Sequence, residues 1–124
     1  MEKKKILIVE DDVFIRDIYQ VKFSNEGFDV IIAENGVKAM GILEQETPDV
    51  ILLDIMMSQM NGMEVLKEIK EKEMLKEIPI IMLTNISEKE KVTEGLDLGA
   101  NDYLIKSHFT PSEVVSKVNA LLNV

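Results

Sequence analysis

The chain has no cysteine, no tryptophan, one histidine and three prolines among its 124 residues. Without thiols it forms neither disulfides nor thiolate metal sites, although that alone does not fix a compartment. No apolar stretch approaches the roughly 20 residues that a membrane span needs, and charges interrupt every candidate. The N-terminus, Met1-Glu2-Lys3-Lys4-Lys5, runs into a strand pattern without a signal-peptide hydrophobic region, so a cytoplasmic location is expected. Positive charge is scarce as well: 14 Lys and Arg against 23 Asp and Glu give a formal net charge of −9. Such a surface argues against gripping nucleic acid, whose phosphates need clustered Lys and Arg. The acidic excess itself reads first as solubility.

What the chain does have is apolar runs at regular intervals. With 46% apolar and 30% charged residues, it can bury one core but not two comfortable ones, so a single domain over 1–124 is expected. Short apolar runs alternate with longer amphipathic stretches, the pattern of strand–helix units around a parallel sheet. The expected strands are Ile6 to Val9, Val30 to Ala33, Val50 to Leu53, Ile80 to Leu83 and Tyr103 to Ile105. Ile, Val and Leu fill them without polar alternation, as in strands covered on both faces. The first, third and fourth are the most apolar and should be central.

Five helices are expected between them. The first begins near Asp12, carries Phe14, Ile18 and Val21 on one stripe, and stops at Gly27, a suitable left-handed cap. Asn35 can cap the second, which holds Ala39, Met40 and Leu43. The third, from about Asn61, buries Met63, Leu66 and Ile69. The fourth opens with the capping box Ser87-Glu88-Lys89-Glu90 and carries Val92 and Leu96. The last opens with Thr110-Pro111-Ser112-Glu113, a capping box with proline at the first helical position. Its stripe is Val114, Val115, Val118, Leu121 and Leu122. The charge run Lys67 to Glu77 reads as the solvated side and exit of the third helix. The chain ends two residues after Leu122, so no effector domain is expected within it.

Chemistry gathers where strands end. Glu10-Asp11-Asp12 follows the first strand and Asp54 the third, so neighbouring parallel strands would put four carboxylates in one crevice. Charges so close repel and raise one another's pKa. A hard divalent cation relieves that cost, and Mg²⁺ favours a few carboxylates with waters and phosphate oxygens. Thr84 and Lys106 also follow strands directly. In open parallel sheets ligands collect beyond these carboxyl ends. One edge would then hold a carboxylate cluster, a hydroxyl and an ammonium, a set suited to phosphoryl chemistry.

These segments together resemble the receiver domain of bacterial two-component response regulators. The matching stretches are Ile6-Leu7-Ile8-Val9-Glu10-Asp11-Asp12, Val50-Ile51-Leu52-Leu53-Asp54-Ile55-Met56-Met57, Met60-Asn61-Gly62, Met82-Leu83-Thr84 and Leu98-Gly99-Ala100-Asn101-Asp102-Tyr103-Leu104-Ile105-Lys106. The resemblance implies a doubly wound, flavodoxin-like five-stranded parallel sheet of order 2-1-3-4-5 with five helices. It implies Asp54 as phosphoacceptor, with a Mg²⁺ ion held by Asp11, by Glu10 through water, by Asp54 and by the Met56 carbonyl. It further implies that Thr84 and Lys106 bind the transferred group. Tyr103 would turn inward as Thr84 moves, remodelling the fourth helix, fifth strand and fifth helix. Asp12 reads better as a helix cap than as a metal contact.

The implied partners are a histidine kinase or phosphotransfer protein and a downstream protein target, with phosphorylation-dependent homodimerisation as a further association. The domain would catalyse its own phosphoryl transfer and slow dephosphorylation without being a stand-alone metabolic enzyme. Two rival readings carry different expectations. An aspartyl-phosphate hydrolase usually places a second aspartate two residues after the nucleophile, where this chain has Met56, and no lid insertion is evident. A receiver-like scaffold that is never phosphorylated would not need the acidic set, Thr84 and Lys106.

Departures from the family pattern are specific. Ser58 stands where proline is common, and Asn85 replaces a smaller residue after Thr84, with room to restrict access. The usual Lys-Pro-Phe becomes Lys106-Ser107-His108-Phe109. The family's peptide after this lysine is typically cis, which costs a non-proline residue ~2.5–4 kcal/mol; the residues here leave cis and trans open. His108 reads as a surface loop residue, not as a ligand or phosphodonor. Finally, crowded carboxylates imply that Asp11→Asn should stabilise the metal-free fold while abolishing phosphorylation.

Overall fold

Each apolar run becomes a strand of one parallel sheet. In the computed structural model, which describes residues 3–57, 60–84 and 89–123 (Lys89 without its side chain), the strands are β1 Lys5–Val9, β2 Asp29–Ala33, β3 Val50–Asp54, β4 Ile80–Thr84 and β5 Asp102–Ile105. Their order is β2-β1-β3-β4-β5, with every pairing parallel. The expected strands are thus present, each longer by one residue, and the three most apolar are central. The helices are α1 Val13–Asn25, α2 Gly36–Leu43, α3 Gly62–Glu71, α4 Lys89–Asp97 and α5 Pro111–Leu122. No helix among the described residues is long and apolar enough to cross a membrane.

Alternation along the strands divides the interior into two layers. Leu7, Val9, Ile51, Leu53, Ile80 and Met82 face α2 and α3, where Leu43, Leu66 and Ile69 meet them. Ile6, Ile8, Leu52, Ile81 and Leu83 face α1 and α5, meeting Phe23, Val115 and Val118. Each such side chain is fully or almost fully removed from water. Burial of that kind stabilises by roughly 1.5–3 kcal/mol per residue, which fixes the strand faces and with them the register.

The helix caps follow the sequence. Asp12 Oδ1 accepts from the Phe14 and Ile15 amides, and Asn35 Oδ1 accepts from Lys38. Asn61 with Glu64, and Thr110 with Glu113, form reciprocal capping boxes. Gly27 has φ +93°, and Phe28 N–H returns to Phe23 O at 3.0 Å, so the left-handed stop to α1 is present. The α4 box lies partly outside the described residues, as do Ser58 and Asn85.

Two expected stripes require correction. Phe14, Ile18 and Val21 do not face the core: they are 77%, 52% and 61% exposed. The buried row of α1 is Tyr19 and Phe23 with half-buried Ile15. Phe23 stacks edge-on against Phe28 at 5.1 Å between centroids. Both rows have helical spacing, and the larger aromatics win the sheet because they bury more area. On α4, Leu96 is exposed and Gly95 faces inward instead, so close to the Met82 thioether that a Cβ would collide with it.

Candidate functional site

Register alone brings the polar residues together. Val9 pairs with Leu53, Asp54 with Leu83, and Thr84 with Ile105. Glu10, Asp54, Thr84 and Lys106 therefore end at one level of four adjacent strands. Glu10, Asp54 and Thr84 are buried, while Asp11, next along the chain, is exposed.

Asp54 closes β3 with both oxygens engaged. Met56 N–H donates to Oδ1 at 3.1 Å, and Lys106 Nζ lies 3.2 Å from Oδ2. Glu10 Oε2 accepts from Asp12 N–H at 3.3 Å, and its Oε1 stands 2.8 Å from the same ammonium. That approach is an ion pair without hydrogen-bond alignment, so Oε1 is a buried oxygen lacking an aligned donor. Oxygens of Glu10, Asp11 and Asp54 come within 4.8 Å of one another. Asp12 is outside this trio and spends its carboxylate on the α1 cap.

The electrostatics follow from burial and crowding. Burial pushes the Glu10 carboxyl up to about 7; neighbouring Asp54 adds to the rise and Lys106 opposes it. Burial by itself would lower the Lys106 ammonium, but Glu10 and Asp54 override this and leave it raised. Three clustered carboxylates, two of them paired with one ammonium, leave a hard, oxygen-only donor set with negative charge in excess. With Glu10 Oε1 poorly satisfied, this set fits a divalent cation of the Mg²⁺ kind.

The other expected residues fall around this centre. Thr84 ends β4, buried against the sheet. Met56 is 45% exposed at the mouth of the site, and Tyr103 is 39% exposed on β5. Lys106 opens a 3-10 turn through His108, all its peptides trans, and His108 is exposed.

Arg16 was not anticipated. Its Nη1 donates to Glu10 O at 3.4 Å and lies 4.0 Å from Glu34 Oε2, tying α1 to the acidic loop. Its one signal in the sequence is that no other arginine occurs.

Comparison with known proteins agrees with this sheet order and with the acidic cluster at its carboxyl edge. Residues 6–119 match the family described as response regulator receiver domain. The alkaline phosphatase synthesis transcriptional regulatory protein PhoP of Bacillus subtilis (strain 168) is 40% identical over 119 residues, covering 96% of this chain and 48% of that protein. The phosphate regulon transcriptional regulatory protein PhoB of Pseudomonas aeruginosa is 38% identical over 122 residues, covering 98% and 53%. Among solved structures, chemotaxis protein CheY4 of Vibrio cholerae superposes with a TM-score of 0.89 at 30% identity, covering 96% of this chain and 98% of that one. The chain belongs to the response regulator receiver domain family. It spans about half the length of the curated relatives it matches, which carry the names of transcriptional regulators and not of metabolic enzymes.

Proposed function

We propose that this domain is the phosphoacceptor of a two-component system, modified on Asp54 by a histidine kinase or phosphotransfer protein. The supporting observation is the placement of a buried Asp54 carboxylate between an amide, an ammonium and two further carboxylates. Glu10, Asp11, Asp54 and the Met56 carbonyl would hold Mg²⁺, which supplies neutralisation of charge on the transferring oxygens.

In the transfer an Asp54 carboxylate oxygen attacks phosphorus as the bond from phosphorus to the donor's imidazole nitrogen breaks. The donor ring reacts with its other nitrogen protonated, so the nitrogen that keeps the electron pair leaves as part of a neutral imidazole. Met56 N–H orients the acceptor carboxylate. Lys106 moves its pairing from Asp54 to the phosphoryl group, and Thr84 donates a hydrogen bond to it. The new charge thereby binds Lys106 more strongly than the carboxylate did and gives Thr84 an acceptor on the phosphoryl group. Tyr103 then turns inward, and the surface of α4, β5 and α5 changes for a downstream protein, or for a second copy of the domain.

A protein donor is supported by an exposed apolar row beside the site. The exposed row Phe14, Ile18 and Val21 begins three residues after Asp11 and runs away from the site along α1. Such a row buries apolar area against a carrier whose imidazole reaches Asp54. The acidic surface gives no grip on nucleic acid, and a cytoplasmic setting matches a kinase-borne donor.

Beryllofluoride with Mg²⁺, followed by fluorine NMR, tests this reading. The parent should give bound-fluoride signals that vanish in Asp54→Ala; signals that persist in the variant, or never form in the parent, reject it.

A further inference from the structure

Lys106 sits within a segment, Asp102 to Phe109, that contains no proline and leaves β5 through a single 3-10 turn. A side chain from α5 touches both ends of that segment. The Lys117 ammonium lies 3.3 Å from Asp102 Oδ2, at the start of β5. It also lies 5.9 Å from the centre of the Phe109 ring, at the far end.

We propose that Lys117 is a positioning residue for Lys106, holding the two ends of the segment that carries it. The Phe109 ring is packed against the layer between the sheet and α1 and α5, so the ammonium rests over a fixed aromatic face. At the other end, Asp102 Oδ1 accepts from Tyr103 N–H at 2.8 Å. One carboxylate therefore joins Lys117 to the first peptide of β5. Between these anchors, Lys106 must keep its ammonium within reach of both Glu10 and Asp54, and a displacement of about 1 Å is enough to slow such chemistry.

Neither contact is strong alone. The Lys117 and Asp102 side chains are 41% and 39% exposed, so their pairing is screened by salt. The effect is geometric: an ammonium bound to both ends restricts the backbone between them. No proline performs that task before Pro111.

This inference rests on Asp54 being the phosphoacceptor, and its test separates the two. Lys117→Met keeps the length of the side chain and removes its charge; Lys117→Arg keeps both contacts. Amide hydrogen exchange over residues 103–109, without any phosphodonor, should quicken by roughly threefold to tenfold in Lys117→Met and stay near the parent in Lys117→Arg. The rate of Asp54 labelling by acetyl phosphate should fall by a similar factor in Lys117→Met, with half-saturating Mg²⁺ unchanged. In a Lys106→Ala background the same substitution should leave the labelling rate unaltered. Exchange and labelling equal to the parent would overturn the proposal. So would an effect that persists in full without Lys106, the mark of a merely structural role. A parent that takes no label would remove the Asp54 reading itself, and this inference with it.

Discussion

Lys106 and Glu10 form a buried ion pair at 2.8 Å although their strands, β5 and β1, are separated in the sheet by β4 and β3. The ammonium crosses the mouth of the site and lies closer to Glu10 than to Asp54, at 3.2 Å. Lys106 thus holds together two carboxylates that would otherwise repel.

The pH dependence follows from Glu10. Its folded pKa of about 7 lies above the ordinary value of 4.5, so the native state binds more protons than the unfolded chain between those values. That contribution to stability is complete below about pH 4.5 and is lost as pH rises through about 7. A shift of this size is worth on the order of 3 kcal/mol. Urea unfolding of the parent and of Glu10→Gln across this window should show the parent losing stability relative to the variant. A constant difference between them would contradict the assignment.

Removing the ammonium should expose the cost of the carboxylates. Lys106→Met leaves Glu10 and Asp54 facing each other without a cation. A loss of about 2 kcal/mol is expected at pH 7.5, less than for a fully buried pair because Glu10 can take up a proton instead. Mg²⁺ should then stabilise the variant more than it stabilises the parent, since binding no longer meets a resident positive charge. Thermal unfolding with and without Mg²⁺ measures both.

Asp11→Asn now carries a smaller expectation than carboxylate crowding alone suggests. Asp11 is exposed, and the neighbours that shift Glu10 are Asp54 and Lys106. The variant should gain no more than about 0.5 kcal/mol without metal, while its Mg²⁺ affinity falls at least tenfold on losing a ligand. Calorimetric titration of Mg²⁺ checks the second part; unchanged affinity would remove Asp11 from the ligand set.

The two rows of α1 should separate stability from transfer. Phe23→Ala deletes a fully buried ring and should cost about 3–5 kcal/mol. Phe14→Ala, at an exposed position, should change stability by less than about 0.5 kcal/mol. It should nevertheless slow phosphoryl transfer from a protein donor while leaving labelling by acetyl phosphate unchanged. Equal effects on both donors would dissociate this row from donor docking.

Much of this was legible in the sequence because it is carried by burial and position. Short Ile, Val and Leu runs between amphipathic stretches read as strands of a parallel sheet, and the residue after each run emerges at one edge. Glu10, Asp54, Thr84 and Lys106 are all placed by that rule. The face of α1 was not legible, since 14-18-21 and 15-19-23 are both apolar rows and spacing does not choose between them. Leu96 was misplaced for a related reason: Gly95 packs inward by having no side chain, which no hydrophobic pattern registers. Arg16 and Lys117 are long charged residues on helices, and only the fold decides what their tips reach.

Acetyl phosphate with Mg²⁺, followed by intact mass and hydride reduction to locate the modified residue, tests the central claim most directly. The account predicts one phosphoryl group per chain, on Asp54, dependent on Mg²⁺ and absent from Asp54→Ala. A chain that gains no mass, or carries the group on another residue with Asp54 untouched, would contradict it.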